Sequence, residues 1–486
     1  MPIHFGTDGW RGVISDSFTF YNLRQVTQAV ADAVASESWL NSSYQGPPPD
    51  PNRMVVGFDT RFLSDRFAME ASRVLAANGY KVYLANADTP TPTISYAVRH
   101  LGAIAGLMIT ASHNPPRYNG LKLKAAYGGA AVPEQCRRVE VYLNDNEARG
   151  RGPNLMDYET ARSNNMIERF NPTTAYYDHL RSLIDMDAIS NNPQHVVVDS
   201  MFGSGRGEIR SILQGTGCEV FEIRNEMNPG FGGIHPEPIG KYLGSLAGAI
   251  AAGHGQIGLA TDGDADRLGA MDGRGQFVDP HRIIALALKY LVENRGLTGK
   301  VVKTVSTTRM VNRLAEKYGL EVVETPVGFN HIADLMLTDQ VLIGGEESGG
   351  ISFLGHIPEG DGVLMGLLLI EMVSVLNTPL NELVDDLLKE VGPSFYARND
   401  LRLTRPISKS VMSSRLQESP PTSIGGAKVS EVSALDGVKY ILDDDSWLLI
   451  RPSGTEPVLR VYAEARDQEL LDAMMSFGEQ IAAEVS

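Results

Sequence analysis

Two cysteines, Cys136 and Cys218, are all that 486 residues contain. Neither belongs to a metal-type or redox-type pair, which excludes a disulfide framework and points to a reducing compartment. Long apolar runs are also missing. The longest, Val363 to Ile370, stops at Glu371, whereas a bilayer span needs about 20 residues. The opening MPIHFGTDGW has no basic stretch followed by an apolar core, so no secretory signal is expected and the protein is expected to be soluble and cytoplasmic. A basic excess is lacking as well: Lys and Arg total 43 against 59 Asp and Glu, a net charge of −16. A binder of nucleic acid or of an anionic membrane shows a basic face, so neither partner is expected. A few local arginines can still hold the phosphate of a small substrate.

Familiar phosphate and hydrolase signatures are absent too. Gly296-Leu297-Thr298-Gly299-Lys300 is too short for GxxxxGK[ST] and is followed by Val301. Gly203-Ser204-Gly205-Arg206-Gly207 lacks the spacing of a dinucleotide loop. There is no GxSxG elbow and no HExxH.

What is present is an ordinary globular balance, 43% apolar and 21% charged. The length suggests three domains, or four small ones. Short β-type runs alternate with helical stretches. Met54–Phe58 predicts a strand, Ser64–Asn78 a helix capped by Ser64, Tyr80–Ala85 a strand, Thr93–Leu101 a helix and Ala103–Ile109 a strand. This βαβαβ order implies an α/β unit with a largely parallel sheet. It restarts with strands at His195–Asp199, Val220–Arg224 and Gln256–Ala260, and again at Lys300–Val305, Glu321–Glu324 and Gln340–Ile343. The last hundred residues differ. Ser408–Ser423 is rich in Ser and Pro, Tyr440–Leu442 and Trp447–Ile450 predict strands, and Gln468–Ala483 a terminal helix. Gln45–Pro51, with four prolines counting Pro51, reads as an exposed loop.

Four motifs can carry chemistry. Thr110-Ala111-Ser112-His113-Asn114-Pro115 follows a buried-type strand, which would put a hydroxyl nucleophile at the mouth of an open sheet. His113 and Lys122 stand near enough in sequence to manage protons; a plain polar turn is the alternative. Asp262-Gly263-Asp264-Ala265-Asp266-Arg267 alternates carboxylates with small residues, a pattern that turns three oxygens onto one hard cation. An EF-hand is excluded because Arg267 stands where its Gly belongs and Gly273 where its Glu belongs. Arg451-Pro452-Ser453-Gly454-Thr455-Glu456-Pro457 offers a guanidinium, two hydroxyls and open backbone to a phosphate. Gly345-Glu346-Glu347-Ser348-Gly349-Gly350 suits vicinal sugar hydroxyls, or is a glycine-rich turn.

Together and in this order, from Phe5-Gly6-Thr7-Asp8-Gly9-Trp10-Arg11-Gly12 to the RPSGTEP run, these motifs resemble the α-D-phosphohexomutase superfamily. The resemblance implies three related α/β domains with mixed sheets and a smaller α+β C-terminal domain around a central cleft, here expected at 1–152, 153–273, 274–391 and 392–486. It implies that Ser112 is the phosphorylated nucleophile and that Asp262, Asp264 and Asp266, with an oxygen on Ser112, hold Mg²⁺. Arg267 and Arg11 would lie near the phosphoryl group, with His113 and Lys122 in acid/base positions. Glu346 and Ser348 would grip the sugar, and Arg451, Ser453, Gly454 and Thr455 the distal phosphate. The partners would be hexose phosphates and bisphosphates.

The GEESGG form resembles glucose-phosphate enzymes, so glucose 1-phosphate and glucose 6-phosphate are the favoured pair. Two positions depart from the pattern: Asn330 and Gly360 stand where the family carries Lys. Losing two cations should loosen the grip on a bisphosphate. The alternative is therefore a glucose 1,6-bisphosphate synthase fed by fructose 1,6-bisphosphate. A silent sugar-phosphate sensor and a metal-dependent phosphatase complete the alternatives.

Overall fold

The computed structural model describes residues 3–6, 9–36, 39–40, 44, 46–404, 408–453 and 457–485. Four sheets follow one another along the chain. The first has six strands, in the order Trp10–Val13, Tyr118–Ala125, Ala103–Ile109, Asp50–Phe58, Lys81–Ala85, Ile167–Phe170. The last four of these are parallel, and the first two run against their neighbours. The second sheet has five strands with His195–Asp199 at its parallel centre and an antiparallel edge, Leu268–Met271 and Phe277–Val278. The third has four, with Lys300–Thr304 parallel to Val322–Thr325 and Val341–Gly345, and Ile351–Phe353 antiparallel at the edge. The fourth is a six-stranded antiparallel sheet between Phe395 and Ala465, backed by the helix Gln468–Val485.

The sheets are mixed because each of the first three ends in a hairpin. A fully buried strand (Ala103–Ile109, Ile257–Thr261 or Val341–Gly345) leads into a short turn and returns antiparallel. Parallel strands need a crossover, whereas a hairpin reverses in a few residues and leaves its turn at the sheet's end. The fourth sheet repeats the device between Trp447–Pro452 and Val458–Ala465. The sequence reading placed its motifs beyond strands but did not foresee that all four would be hairpin turns.

Domain bounds depart from the expected ones. The first sheet takes in Ile167–Phe170, beyond 152, and the second takes in Phe277–Val278, beyond 273. The second and third units also share one apolar core. The helix Gly362–Leu376, started by Asp361 accepting from the Leu364 N–H, is buried on nearly all sides. Its leucines 367, 368 and 369 are wholly buried, each contributing about 1.5–3 kcal/mol of transfer free energy. An all-round apolar helix is what a shared core requires. Among the described residues, no single helix is long and apolar enough to cross a membrane.

Local expectations fail in instructive places. The strand expected from Met54 starts at Asp50, inside the proline-rich segment: its first residues are a solvent-facing end of a central strand, where Asp50 pairs with Ala103. Ser64 does not cap its helix. Leu63 occupies the cap in a left-handed conformation, φ 62°, and Ser64 Oγ donates to Asp59 instead. The Ser-rich stretch contains a helix, Lys409–Glu418, which buries Met412 and Leu416 one turn apart.

Candidate active site

The first hairpin turn holds Ser112 in the left-handed region, φ 51°. A non-glycine residue there is uncommon, and frequent at functional turns. Its Oγ donates to Asp262 Oδ2 at 2.8 Å, and His113 Nδ1 lies 3.3 Å from the same Ser112 oxygen. Burial, then the charges of Arg267, Arg11, Arg398 and Lys122, hold the His113 pKa well below the ordinary histidine range. The imidazole is therefore neutral at pH 7. Arg11 donates to Asn114 Oδ1 at 2.5 Å, so the N-terminal strand meets the same turn.

The second hairpin turn presses directly on the first. A Cβ on Gly263 would stand 2.4 Å from the Ser112 carbonyl oxygen, so only glycine permits this approach. Ligand oxygens of Asp262, Asp264 and Asp266 lie within 4.8 Å of one another, all buried. Lys122 Nζ sits 2.6 Å from Asp266 and 2.9 Å from Asp264. Thr91 donates to Asp264 Oδ2 at 2.5 Å. Burial and the neighbouring Asp266 and Asp264 charges push the Asp262 carboxyl well up. For Asp264 burial also acts upward, but Lys122 and the Thr91 hydrogen bond outweigh it and hold the group low. Lys122 and the more distant Arg267 do not balance three buried carboxylates, and Asp264 Oδ1 is buried with no hydrogen-bond partner. That donor set fits a hard divalent cation. Arg267 ends the turn with its Nε 3.8 Å from Asp266.

The third turn touches the second. Leu268 N donates to Gly349 O at 3.1 Å, and Gly362 N to Ala265 O at 3.0 Å. Glu346 accepts from Gly328 N at 2.9 Å, and Ser348 Oγ lies 3.5 Å from the Glu346 carboxylate. Glu347 turns aside to Ser306 Oγ at 2.6 Å. The fourth turn is tied through Asp436 to the loop at 327–328, whose Gly328 N–H in turn reaches Glu346 of the third. The Asp436 carboxylate accepts from Arg451 Nε at 2.7 Å, Lys409 Nζ at 3.0 Å and Val327 N at 3.1 Å. Arg460 stands across the strand pair from Arg451. Ser453 N closes the hairpin onto Val458 O, while Gly454 and Thr455 lie outside the described residues.

An unbroken run of contacts thus joins Ser112, the carboxylate triad, Glu346 and Arg451, drawn from four successive sheets. Matching models cover the same course: "Phosphoglucomutase/phosphomannomutase, alpha/beta/alpha domain I" at residues 2–150, domain II at 174–275, domain III at 279–391 and the C-terminal domain at 415–477. The chain belongs to the α-D-phosphohexomutase superfamily. It is 29% identical to a phosphoglucomutase of Komagataeibacter xylinus, over 95% of this chain and 87% of that one. It is 30% identical to a phosphoglucosamine mutase of Methanococcus maripaludis, over 88% and 91%. Its backbone matches the crystal structure of a Thermus thermophilus protein named as a phosphomannomutase candidate, at 34% identity, 99% coverage of both chains and a TM-score of 0.83. These superfamily relatives are named for different sugars, so likeness alone does not choose one.

Four residues of the site escaped the sequence reading: Asp59 and its ion-pair partner Arg61, which donates to the Ser112 carbonyl, Thr91 and Asp436. The first two carried a signal, an Asp-Thr-Arg run ending a buried strand, where charge is costly unless paired. Thr91 and Asp436 carried none, because each acts on a turn far away in the chain.

Proposed function

We propose that the protein is a hexose-phosphate mutase that interconverts glucose 1-phosphate and glucose 6-phosphate through a phospho-Ser112 enzyme and glucose 1,6-bisphosphate. The observation that carries this reading is Ser112 Oγ set 2.8 Å from Asp262 inside the carboxylate triad, with an arginine-bearing turn linked to the sugar turn opposite. Asp262, Asp264 and Asp266, with an oxygen on Ser112, would hold Mg²⁺, which supplies charge neutralisation at the phosphoryl oxygens.

In the forward half-reaction the bond between Ser112 Oγ and phosphorus breaks while a sugar hydroxyl oxygen bonds to phosphorus. The hydroxyl proton passes to a base, and Ser112 Oγ, released from phosphorus, takes up a proton to regain the hydroxyl that donates to Asp262. In this reading neutral His113, 3.3 Å from Ser112 Oγ, takes the sugar-hydroxyl proton, and Lys122, held among carboxylates, balances charge. Arg11 and Arg267 flank the transferring group. Glu346 and Ser348 orient the sugar, and Arg451, Ser453, Gly454 and Thr455 hold the phosphate that does not react, a source of binding energy remote from the chemistry. After the bisphosphate turns round, its other phosphate returns to Ser112.

A second reading has its own support. Asn330 is buried at the head of a helix and carries no charge, and a Cβ on Gly360 would stand 2.9 Å from both Asp266 O and Gly350 Cα. No cation can be mounted at 360 without moving backbone. A site short of cations releases a bisphosphate sooner, which favours a synthase of glucose 1,6-bisphosphate.

One experiment separates the two. With Mg²⁺, glucose 1-phosphate alone and primed by trace glucose 1,6-bisphosphate, the mutase gives rapid glucose 6-phosphate. Supplied with glucose 6-phosphate and fructose 1,6-bisphosphate, the synthase accumulates glucose 1,6-bisphosphate. Turnover in neither assay removes both readings.

A further inference from the structure

Ser112 sits in a backbone conformation that a serine does not choose unaided. Something must hold it there, and the structure shows what does. Arg61 lies three residues beyond the end of the strand Asp50–Phe58, and its side chain is shut away from water. A guanidinium has five N–H donors in a rigid fork. All five are used. Nη2 donates to Ser112 O at 2.6 Å and Asn114 O at 2.7 Å. Nη1 donates to Pro115 O and Tyr118 O, both at 3.0 Å. Nε donates to Asp59 Oδ2 at 3.1 Å. The Phe231 ring, from the second unit, covers the guanidinium at 4.9 Å.

The peptide N–H of Ser112 ends on the same ion pair by another route. It donates to Thr110 Oγ1 at 2.9 Å, and that hydroxyl donates to Asp59 Oδ2 at 2.7 Å. Both backbone polar groups of the nucleophile are therefore fixed to Asp59–Arg61, the carbonyl directly and the N–H through Thr110. The carbonyl so fixed is the one against which Gly263 of the carboxylate turn packs.

We propose that Arg61, braced by Asp59, is the positioning residue of the nucleophile: its fork sets the turn that aims Ser112 Oγ at the carboxylate triad and the sugar. This rests on Ser112 being the nucleophile. A buried pair serving stability alone would be worth little and could be replaced by apolar groups. A pair that aims a reacting atom shows instead in the rate, because misplacement by about 1 Å costs about 100-fold.

Arg61→Lys keeps the charge and loses the fork. Its kcat is expected to fall about 100-fold with KM for the hexose phosphate within about threefold of wild type. Thr110→Val leaves Arg61 in place and cuts the second tie; a fall of about tenfold in kcat is expected, again at steady KM. Single-turnover transfer from glucose 1,6-bisphosphate to Ser112, followed by intact mass, should slow in parallel. Folding is checked by the thermal midpoint, and Thr110→Val decides the matter if Arg61→Lys does not yield folded protein. Wild-type kcat in a folded variant, or a loss confined to KM, overturns the proposal. Ser112→Ala runs alongside. Turnover retained there overturns the nucleophile assignment itself, whereas its loss beside unimpaired Arg61→Lys and Thr110→Val overturns the positioning role alone.

Discussion

Asp262, Asp264 and Asp266 place three carboxylates in one buried turn, with Lys122 as the cation in contact with two of them. Carboxylates crowded in this way repel one another until a cation arrives, so binding of Mg²⁺ should stabilise the fold by linkage. Mg²⁺ is expected to raise the thermal midpoint of the wild-type chain and not that of Asp264→Asn, whose side chain cannot supply the charge. Turnover after chelation should fall by at least about 100-fold and return with Mg²⁺. A midpoint blind to Mg²⁺ would remove the triad from metal binding. At this scale the sequence was most readable where chemistry is contiguous. Ser112 with His113, the Asp-x-Asp-x-Asp run and Arg451 with Ser453 each announce themselves within a few positions. Thr91 and Asp436 do not, since what each holds is fixed only when separate segments meet.

Among elements, the hairpin turn is the recurring unit. Its strands were legible as apolar runs, and its turns as clusters of Gly, Ser and acids. The return strand was missed in each of the first three sheets because antiparallel pairing leaves no period that separates it from a parallel neighbour. The helix Lys409–Glu418 was missed for another reason: serines mask the Met412–Leu416 pair that packs it down. Between the last two turns, Asp436 is the one carboxylate shared by Arg451, Lys409 and the Val327 N–H. Arg451 and Lys409 hold its pKa low against burial. Asp436→Asn should free Arg451 and the Val327 loop together. KM for the hexose phosphate is expected to rise about tenfold or more, with a smaller change in kcat, in steady-state assays. An unchanged KM would show that the two turns are set independently.

Over the whole molecule, the fourth sheet is seated on the third by buried charge. Glu464 accepts from Thr308 Oγ1, Arg309 N, Ser394 Oγ and Trp447 Nε1, each within 2.9 Å. Lys439 donates to Val305 O and Glu324. Lys303 lies beneath them, its pKa lowered to about 7 by burial and by the Lys439 charge. In the unfolded chain a lysine titrates near about 10.4. Between these values the unfolded chain holds more protons than the folded one, so this group makes stability rise with pH from about 7 upward. The thermal midpoint should climb between pH 7 and pH 9, and the climb should flatten in Lys303→Met. Equal slopes in the two proteins would place the Lys303 titration elsewhere. Four units in one chain were legible from restarting patterns. The core that joins the second and third of them along Gly362–Leu376 was not, since an all-round apolar helix names no neighbour.

The close approach at Gly360 bears on what the chain can become. Backbone atoms of Asp266 and Gly350 fill the space that even a methyl group would take. A lysine introduced there by a single codon change would collide with the turn that carries the acidic triad. Any cation at this point needs a second, accommodating change, so laboratory selection for a tighter hold on an anionic ligand should find its answers at other positions first.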